Sequence, residues 1–246
     1  MTSHMNAKRI KSLREKKYRQ NTKLFLVEGA KNVLELLASD YAIDSLYVTS
    51  EFKKAHAAKI QRAPEVHIVE KEELAAYGTL EHNDGALAIV RQKESLKPNS
   101  ENEIVLVLDD IRDPGNLGTI IRIADWYGVK HIVCSPSCVD WYNPKVVMAT
   151  MGSFTRVSGF YTELPAYLKS QRAPILGTFL DGKNAHTYAF PKSGILVVGS
   201  ESHGISREVA KCVSEKISIP SFGGAESLNA AVATGIVLDR WKGGAQ

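Results

Sequence analysis

The residues of this 246-residue chain whose types and spacing invite chemistry gather in two short loops and beside one arginine. The loop Gly199-Ser200-Glu201-Ser202-His203-Gly204 follows the apolar run 195–198, and Ser221-Phe222-Gly223-Gly224-Ala225-Glu226 follows the run 216–220. Glycines let backbone amides approach a ligand closely. Neither loop is a phosphate cradle, because the first lacks G-x-G-x-x-G spacing and the second has no Gly-Lys-Ser/Thr ending. Upstream, Arg122 stands off the apolar stripe Ile120, Ile123, Ala124 and Tyr127. It lies one helical turn from Gly118, whose missing side chain leaves space beside the guanidinium. Singly, each feature has a plainer reading: a strand-glycine-helix junction of the kind any α/β domain contains, or a surface arginine paired with Asp125. Together they point to a small-molecule site built from backbone.

The elements that must position these residues alternate between strands and helices. Residues 195–198, Ile-Leu-Val-Val, form the continuous apolar run of a strand covered on both faces. Ser227 is expected to cap a helix carrying Leu228, Ala231, Val232, Gly235 and Leu238. Further upstream, residues 103–109 read as a strand, Asp113-Pro114-Gly115 as a turn, Asn116 as a cap, and the helix runs from Leu117 to about Tyr127. A strand VKHIVCS, helices near 144–151 and 164–170, and the strand PILGTFL complete the alternation. In open α/β sheets ligands bind outside the carboxyl ends of the strands, where both loops fall. Residues 24–91 alternate in the same way and read as a complete small α/β/α domain, with His56, His67 and His82 scattered and no catalytic cluster. The polar stretch 92–102 reads as a linker, so two domains are expected, over 5–92 and 103–246.

Composition bounds the function classes. No run of about 18 apolar residues is present, which excludes a membrane-spanning helix. The start has no apolar signal segment, and Met1-Thr2-Ser3-His4 before Met5 reads as a cloning remnant. Three cysteines without C-x-x-C spacing read as reduced thiols of a cytoplasmic protein, and Cys134 and Cys138 lack the neighbours a metal site needs. The net charge of +4 hides an asymmetry: residues 6–23 hold eight basic residues against one acid, a local +7, which leaves the remainder at −3. With Ile10 and Leu13 three apart, this segment is expected to form a short helix with a cationic face, a phosphate-contacting arm.

The stretches D-D-I-R-D-P-G-N-L-G-T-I-I-R (109–122), I-L-V-V-G-S-E-S-H-G-I (195–205) and I-S-I-P-S-F-G-G-A-E-S-L-N-A-A-V-A (217–233) resemble, in order, the three motifs of the SpoU or TrmH family. Those are RNA ribose 2′-O-methyltransferases of the SPOUT superfamily, and the resemblance extends from residue 103 to the end. Residues 24–91 resemble the L30e-like domain that many members use to bind substrate. The resemblance implies an α/β fold with a parallel sheet whose C-terminal segment is threaded into a deep trefoil knot, an exception to the rule against knots. It also implies a homodimer paired through the catalytic domain, RNA as partner (ribosomal RNA, otherwise transfer RNA), and S-adenosylmethionine as cofactor. Thr178, Leu180, Gly199, Glu201, Ile219 and Leu228 match positions that hold that cofactor. Arg122, Asn116 and Asn229 match catalytic positions for in-line attack of a ribose 2′-oxygen on the sulfonium methyl. Arginine is effectively always protonated, so proton acceptance by Arg122 and a phosphate- or alkoxide-binding role both stay open. Ser200, Ser202 and His203 depart from residues common in the family, which leaves the contact of His203 open. The competing readings are a catalytically silent RNA-binding protein, which need not keep these three residues, and an unknotted nucleotide enzyme, which needs a glycine-rich turn that is missing.

Overall fold

The structure, a computed structural model, describes residues 2–80, 82–83, 85–98 and 100–244, with side chains from Ala7 onward. The chain divides into two compact units, Met1–Glu94 with Asp140–Arg156, and Ser95–Val139 with Val157–Gln246.

In the first unit the strands Leu24–Glu28 (β1), Ile43–Val48 (β2), Val66–Ile68 (β3) and Ala86–Arg91 (β4) form a sheet of order β1-β4-β2-β3. Its helices are Thr2–Ser12 (α1), Lys16–Thr22 (α2), Ala30–Leu37 (α3), Ser50–Ala55 (α4), Ala57–Ile60 (α5) and Lys71–Tyr77 (α6), with Pro144–Ala149 (α8) contributed by the later segment. Successive strand residues point to opposite faces. Phe25, Val27, Ala88 and Val90 therefore join a core with Val33, Leu36 and Phe52. Leu24, Leu26, Leu87 and Ile89 join a second core with Leu74 and Tyr77. Val147 and Phe154 complete the first of these cores, so residues 140–156 pack with the first unit although they follow the start of the second in sequence.

The basic segment is not a free arm. Ile10 and Leu13 are fully buried in the second of these cores, and α1 and α2 are two helices rather than one. Arg19 is 2 % exposed, with Nε and Nη2 donating to Asp140 at 2.9 and 2.6 Å and Nη1 donating to the carbonyls of Leu13 and Arg14 at 2.9 and 2.7 Å. A buried guanidinium is tolerated only when paired in this way. Lys8, Lys11, Lys16, Lys17 and Lys23 remain exposed.

In the second unit, six strands among the described residues form a wholly parallel sheet: Ile104–Asp109 (β5), His131–Cys134 (β6), Ser158–Tyr161 (β7), Ile175–Asn184 (β8), Gly194–Gly199 (β9) and Glu215–Ser218 (β10), in the order β10-β8-β9-β5-β6-β7. Its helices are Pro114–Trp126 (α7), Leu164–Lys169 (α9), Arg207–Ala210 (α10) and Ala230–Gly243 (α11). Val105, Val107, Ile195 and Val197 pack on Leu164, Leu168 and Val209. The alternate strand residues turn to the opposite face, where α11 packs on β9 and α7. The four-residue elements β7 and α10 are too short to carry a periodicity of their own, and neither is expected from the sequence. Among the described residues no helix is long and apolar enough to cross a membrane.

Both helix starts near the loops differ from expectation. Asp113, not Asn116, caps α7 by accepting from the Asn116 N–H at 2.8 Å, because Pro114 supplies a preset φ for the first helical position. Asn229, not Ser227, caps α11 through bonds from the N–H groups of Ala231 and Val232, leaving Leu228 outside the helix. The buried face of α7 is Leu117, Gly118, Ile120, Ile121 and Ala124. Gly118 is thus buried rather than a space beside Arg122, while Ile123 and Tyr127 turn toward α11. A Cβ on Gly235 would lie 3.6 Å from Ile123, and the Tyr127 hydroxyl donates to Asp239 at 3.3 Å. These contacts, with Asn116 bonded to Asn229, make α7 and α11 parallel, their N-termini side by side.

A candidate methyl-donor cavity at the ends of the central strands

β5 and β9 pair in register up to Asp109 opposite Gly199, so the two loops that follow them leave the sheet at one level. Asp109, 6 % exposed, accepts from the Ser206 N–H at 2.8 Å and so pins the far side of the second loop. That loop folds back on itself: the Gly204 N–H donates to the Ser200 carbonyl at 2.8 Å, with Gly204 at φ 65°. A Cβ on Gly199 would stand 2.1 Å from the Gly204 carbonyl carbon, so a side chain there strikes backbone instead of entering open space.

A cavity of about 660 Å³ opens between this loop, the end of β8 and the segment after β10. Small-molecule sites span roughly 300–1,000 Å³, which places it in the range of one whole ligand. All six residues expected to hold a cofactor, Thr178, Leu180, Gly199, Glu201, Ile219 and Leu228, line it. Val198, Ile205 and Ile217 supply apolar wall, Asp181, Glu201 and Glu226 supply carboxylates, and no lysine or arginine takes part among the described residues. Phe222, 96 % exposed, also lines the cavity. Its aromatic ring inside a polar glycine loop was the one signal available in the sequence.

At the mouth stands a side-chain network. Glu201 Oε1 accepts from Asn116 Nδ2 at 3.0 Å, from Asn229 Nδ2 at 2.6 Å and from the Ala230 N–H at 3.1 Å. Asn229 Nδ2 also donates to Asn116 Oδ1 at 2.8 Å. The carboxylate thus sits at the N-terminus of α11, where the helix dipole favours an anion. Two residues expected to be catalytic are brought together with one expected to hold cofactor.

Arg122 is not part of this group. It is exposed on a stripe of α7 with Thr119 and Trp126, lines neither this cavity nor its neighbour, and makes no hydrogen bond or ion pair with any described residue.

A smaller cavity of about 220 Å³ lies beside the larger, lined by Asp110, Arg112, Asp113 and Asn116 on one side and by Ser200, Glu201, Ser202 and His203 on the other. Asp110 has φ 63°, its N–H donates to Ser135 Oγ at 2.9 Å, and Arg112 Nε donates to its Oδ1 at 2.7 Å. Burial opposes ionisation of Asp110, but hydrogen bonds from Arg112 and Ser137 hold its carboxyl below the usual carboxylate range. The Ile111 N–H donates to Cys138 Sγ at 3.3 Å, and a hydrogen bond from Cys134 brings the Cys138 thiol down to about 7 while Cys134 is pushed up. Sequence reasoning passed over Asp110 and Arg112 because charged residues ahead of a helix read as a solvated turn. Their role as a wall emerges only when the loop after β9 is placed opposite.

Comparison with known proteins gives this geometry a lineage. Residues 103–239 match the SpoU rRNA Methylase family, and residues 5–88 match the MRM3-like substrate binding domain. The chain is 29 % identical to the Bacillus subtilis (strain 168) protein named 23S rRNA (guanosine(2553)-2'-O)-methyltransferase RlmP, over 95 % of this chain and 94 % of that one. Among solved structures, a protein of the TrmH family from Porphyromonas gingivalis is 35 % identical with a TM-score of 0.86, covering 96 % of each chain. An AdoMet-bound rRNA methyltransferase from Sinorhizobium meliloti is 29 % identical with a TM-score of 0.84, covering 96 % of this chain and 93 % of that one. Three motifs, the parallel sheet and matches along nearly the whole chain lead to one conclusion: the chain belongs to the SpoU rRNA methylase family.

Proposed function

We propose that this protein transfers a methyl group from S-adenosylmethionine to a ribose 2′-hydroxyl of ribosomal RNA. The observation that carries the reading is the charge of the larger cavity. Three carboxylates and, among the described residues, no lysine or arginine line it, which favours a sulfonium and disfavours the pyrophosphate of a dinucleotide. Adenine and ribose need an apolar slot and backbone partners, which the loops after β9 and β10 offer through Gly199, Ile219 and Leu228, with Thr178 and Leu180 closing the end of β8. When bound, S-adenosylmethionine supplies the electrophilic methyl carbon.

The residues of the chain divide the remaining work. Asn229 spends Oδ1 on the cap of α11 and Nδ2 on Glu201 and Asn116, so it acts as a positioning residue that fixes Glu201 at the mouth. Asn116 holds the same carboxylate from the α7 side. A guanidinium is a fork of hydrogen-bond donors with no acceptor, so the role of Arg122 is to bind a phosphate or stabilise a developing alkoxide rather than to accept the proton. It lines neither cavity of its own chain, which supports supply of the guanidinium by a second copy across a homodimer. The exposed face for that pairing is Trp126, 82 % exposed, and Val232, 50 % exposed. Ala230 and Ala231, the small residues that a close helix pairing would use, are already buried within the chain at 4 and 2 % exposure.

Ribosomal RNA is favoured over transfer RNA by the names of relatives such as RlmP and the RlmB protein of Neisseria meningitidis serogroup B (strain ATCC BAA-335 / MC58), 31 % identical over 61 % of this chain and 62 % of that one. The exposed lysines of α1 and α2 suit the first unit to contact RNA, and the setting is the cytoplasm. The knot expected from the motifs is retained in the proposal, supported by the sheet order that places β8 between β10 and β9. Calorimetric titration tests the central assignment: S-adenosylmethionine binds and NAD does not. Binding of NAD with no binding of S-adenosylmethionine would overturn it.

A further inference from the structure

The smaller cavity meets the larger across Ser200, Glu201, Ser202 and His203, which line both, yet of the two it is the one lined by an arginine, Arg112. At about 220 Å³ it falls below the roughly 300 Å³ where whole-ligand sites begin, so it suits a fragment of a ligand. Its carboxylates are already engaged: Asp113 caps α7, Glu201 holds the two asparagines, and Asp110 accepts from Arg112. The guanidinium of Arg112 spends only Nε, at 2.7 Å on Asp110, and its Nη1 and Nη2 have no partner among the described residues. An exposed arginine would otherwise sample many rotamers, so Asp110 pre-orients the fork. Asp110 does this from a left-handed backbone conformation at φ 63° that costs a non-glycine residue energy and persists where the surroundings impose it, here through Ser135 Oγ on its N–H. Ser200 and Ser202 line the facing wall, with Ser200 Oγ accepting from the His203 N–H at 3.3 Å.

We propose, building on the methyl-transfer reading, that this smaller cavity docks one phosphodiester of the RNA beside the target ribose, with the free fork of Arg112 as its bidentate donor and Asp110 as the residue that positions the fork. The smaller cavity offers the unspent ends of a guanidinium and the larger one offers no lysine or arginine among the described residues, so Arg112 distinguishes methyl acceptor from methyl donor on the two sides of the Ser200–His203 wall. A guanidinium matches two oxygens of one phosphate, a geometry an ammonium does not reproduce.

The test uses the full chain as wild type, Arg112→Gln and Arg112→Lys, each saturated with S-adenosylhomocysteine. Binding to an unmodified 23S rRNA transcript is followed by anisotropy across a potassium chloride series. Arg112→Gln is expected to bind about tenfold more weakly, as when a charge-assisted bond is lost, and its log–log salt slope is expected to shrink by about 0.7–0.9, the release attached to one phosphate. Arg112→Lys is expected to weaken binding while keeping the wild-type slope. In nuclear magnetic resonance, uridylyl-uridine is expected to shift the Arg112 Nε signal more than inorganic phosphate does. An unchanged salt slope in Arg112→Gln, or equal shifts from the two probes, would overturn the proposal. Weakened S-adenosylmethionine binding in Arg112→Gln would also overturn it, assigning the cavity to the methionine carboxylate instead. Failure of the wild type itself to bind S-adenosylmethionine would instead sink the methyl-transfer reading, and the RNA salt slopes would still decide whether Arg112 meets a phosphate.

Discussion

Arg122 and Asn229 match the same set of motif residues, but their surroundings separate what their truncation does. Arg122 is exposed and without partners among the described residues, so Arg122→Ala is expected to leave the melting temperature unchanged, as surface substitutions do. Methyl transfer in single turnover is expected to fall by on the order of a hundredfold, the effect of losing a positioned charge-stabilising donor. Arg122→Lys is expected to be nearly as poor, and full activity in either variant would remove the guanidinium from the mechanism. Asn229→Ala loses a helix cap of about 1 kcal/mol, which corresponds to roughly 2–4 °C in a domain of this size, together with the Glu201 network. Thermal unfolding separates the two, and a wild-type melting point for Asn229→Ala would show that the cap contributes nothing. At this scale the motif resemblance nominated residues but not how they meet. The six positions expected to hold a cofactor came from the motif resemblance, and the structure brings all six to the wall of one cavity. The Glu201–Asn116–Asn229 network was hidden because its members lie 85 and 28 residues from Glu201.

Cys138 adds a pH prediction. Its thiol is lowered to about 7 by the hydrogen bond from Cys134, so the stabilisation it contributes is present above the ordinary thiol value of 9.0 and is lost as pH falls through about 7. Cys134, pushed up, stays protonated over that window. Ultraviolet thiolate absorbance is expected to show one cysteine titrating near about 7, absent in Cys138→Ala. Retention of that step in Cys138→Ala would assign it to another thiol.

At the scale of elements, α1 and α2 show where local pattern ran out. The spacing of Ile10 and Leu13 announced a helix, but the burial of Arg19 depends on Asp140, 121 residues away. Deleting the segment would leave the part-exposed carboxylate of Asp140 without Arg19 and open the core that Ile10 and Leu13 fill, so RNA affinity is better tested by charge than by deletion. Lys8→Gln, Lys11→Gln, Lys16→Gln and Lys17→Gln combined are expected to keep the melting temperature and reduce the salt slope of RNA binding, by about 0.7–0.9 for each lysine on a phosphate. An unchanged slope would place the RNA elsewhere. The caps of α7 and α11 were misplaced by three and two residues because Asn, Ser and Asp all cap well, and only the packing of two parallel N-termini on Glu201 selects among them.

For the whole molecule, the proposed supply of Arg122 by a second copy makes a claim about mass. Sedimentation is expected to give twice the chain mass for the wild type, and Trp126→Asp with Val232→Asp is expected to shift it to the monomer while S-adenosylmethionine affinity falls little. A dimer indifferent to both substitutions would place the interface on another face. The alternating strands and helices of both units were legible from apolar runs, whereas the return of residues 140–156 to the first unit was not, because an apolar helix carries no mark of which core it fills. The most direct measurement of the account is transfer of tritiated methyl from S-adenosylmethionine to ribosomal RNA followed by complete alkaline hydrolysis. A methylated 2′-oxygen blocks cleavage of the adjoining phosphodiester, so the account predicts label confined to alkali-resistant dinucleotides and lost with Arg122→Ala. Label recovered in mononucleotides would mean that a base, not the ribose, is the acceptor, and would contradict it.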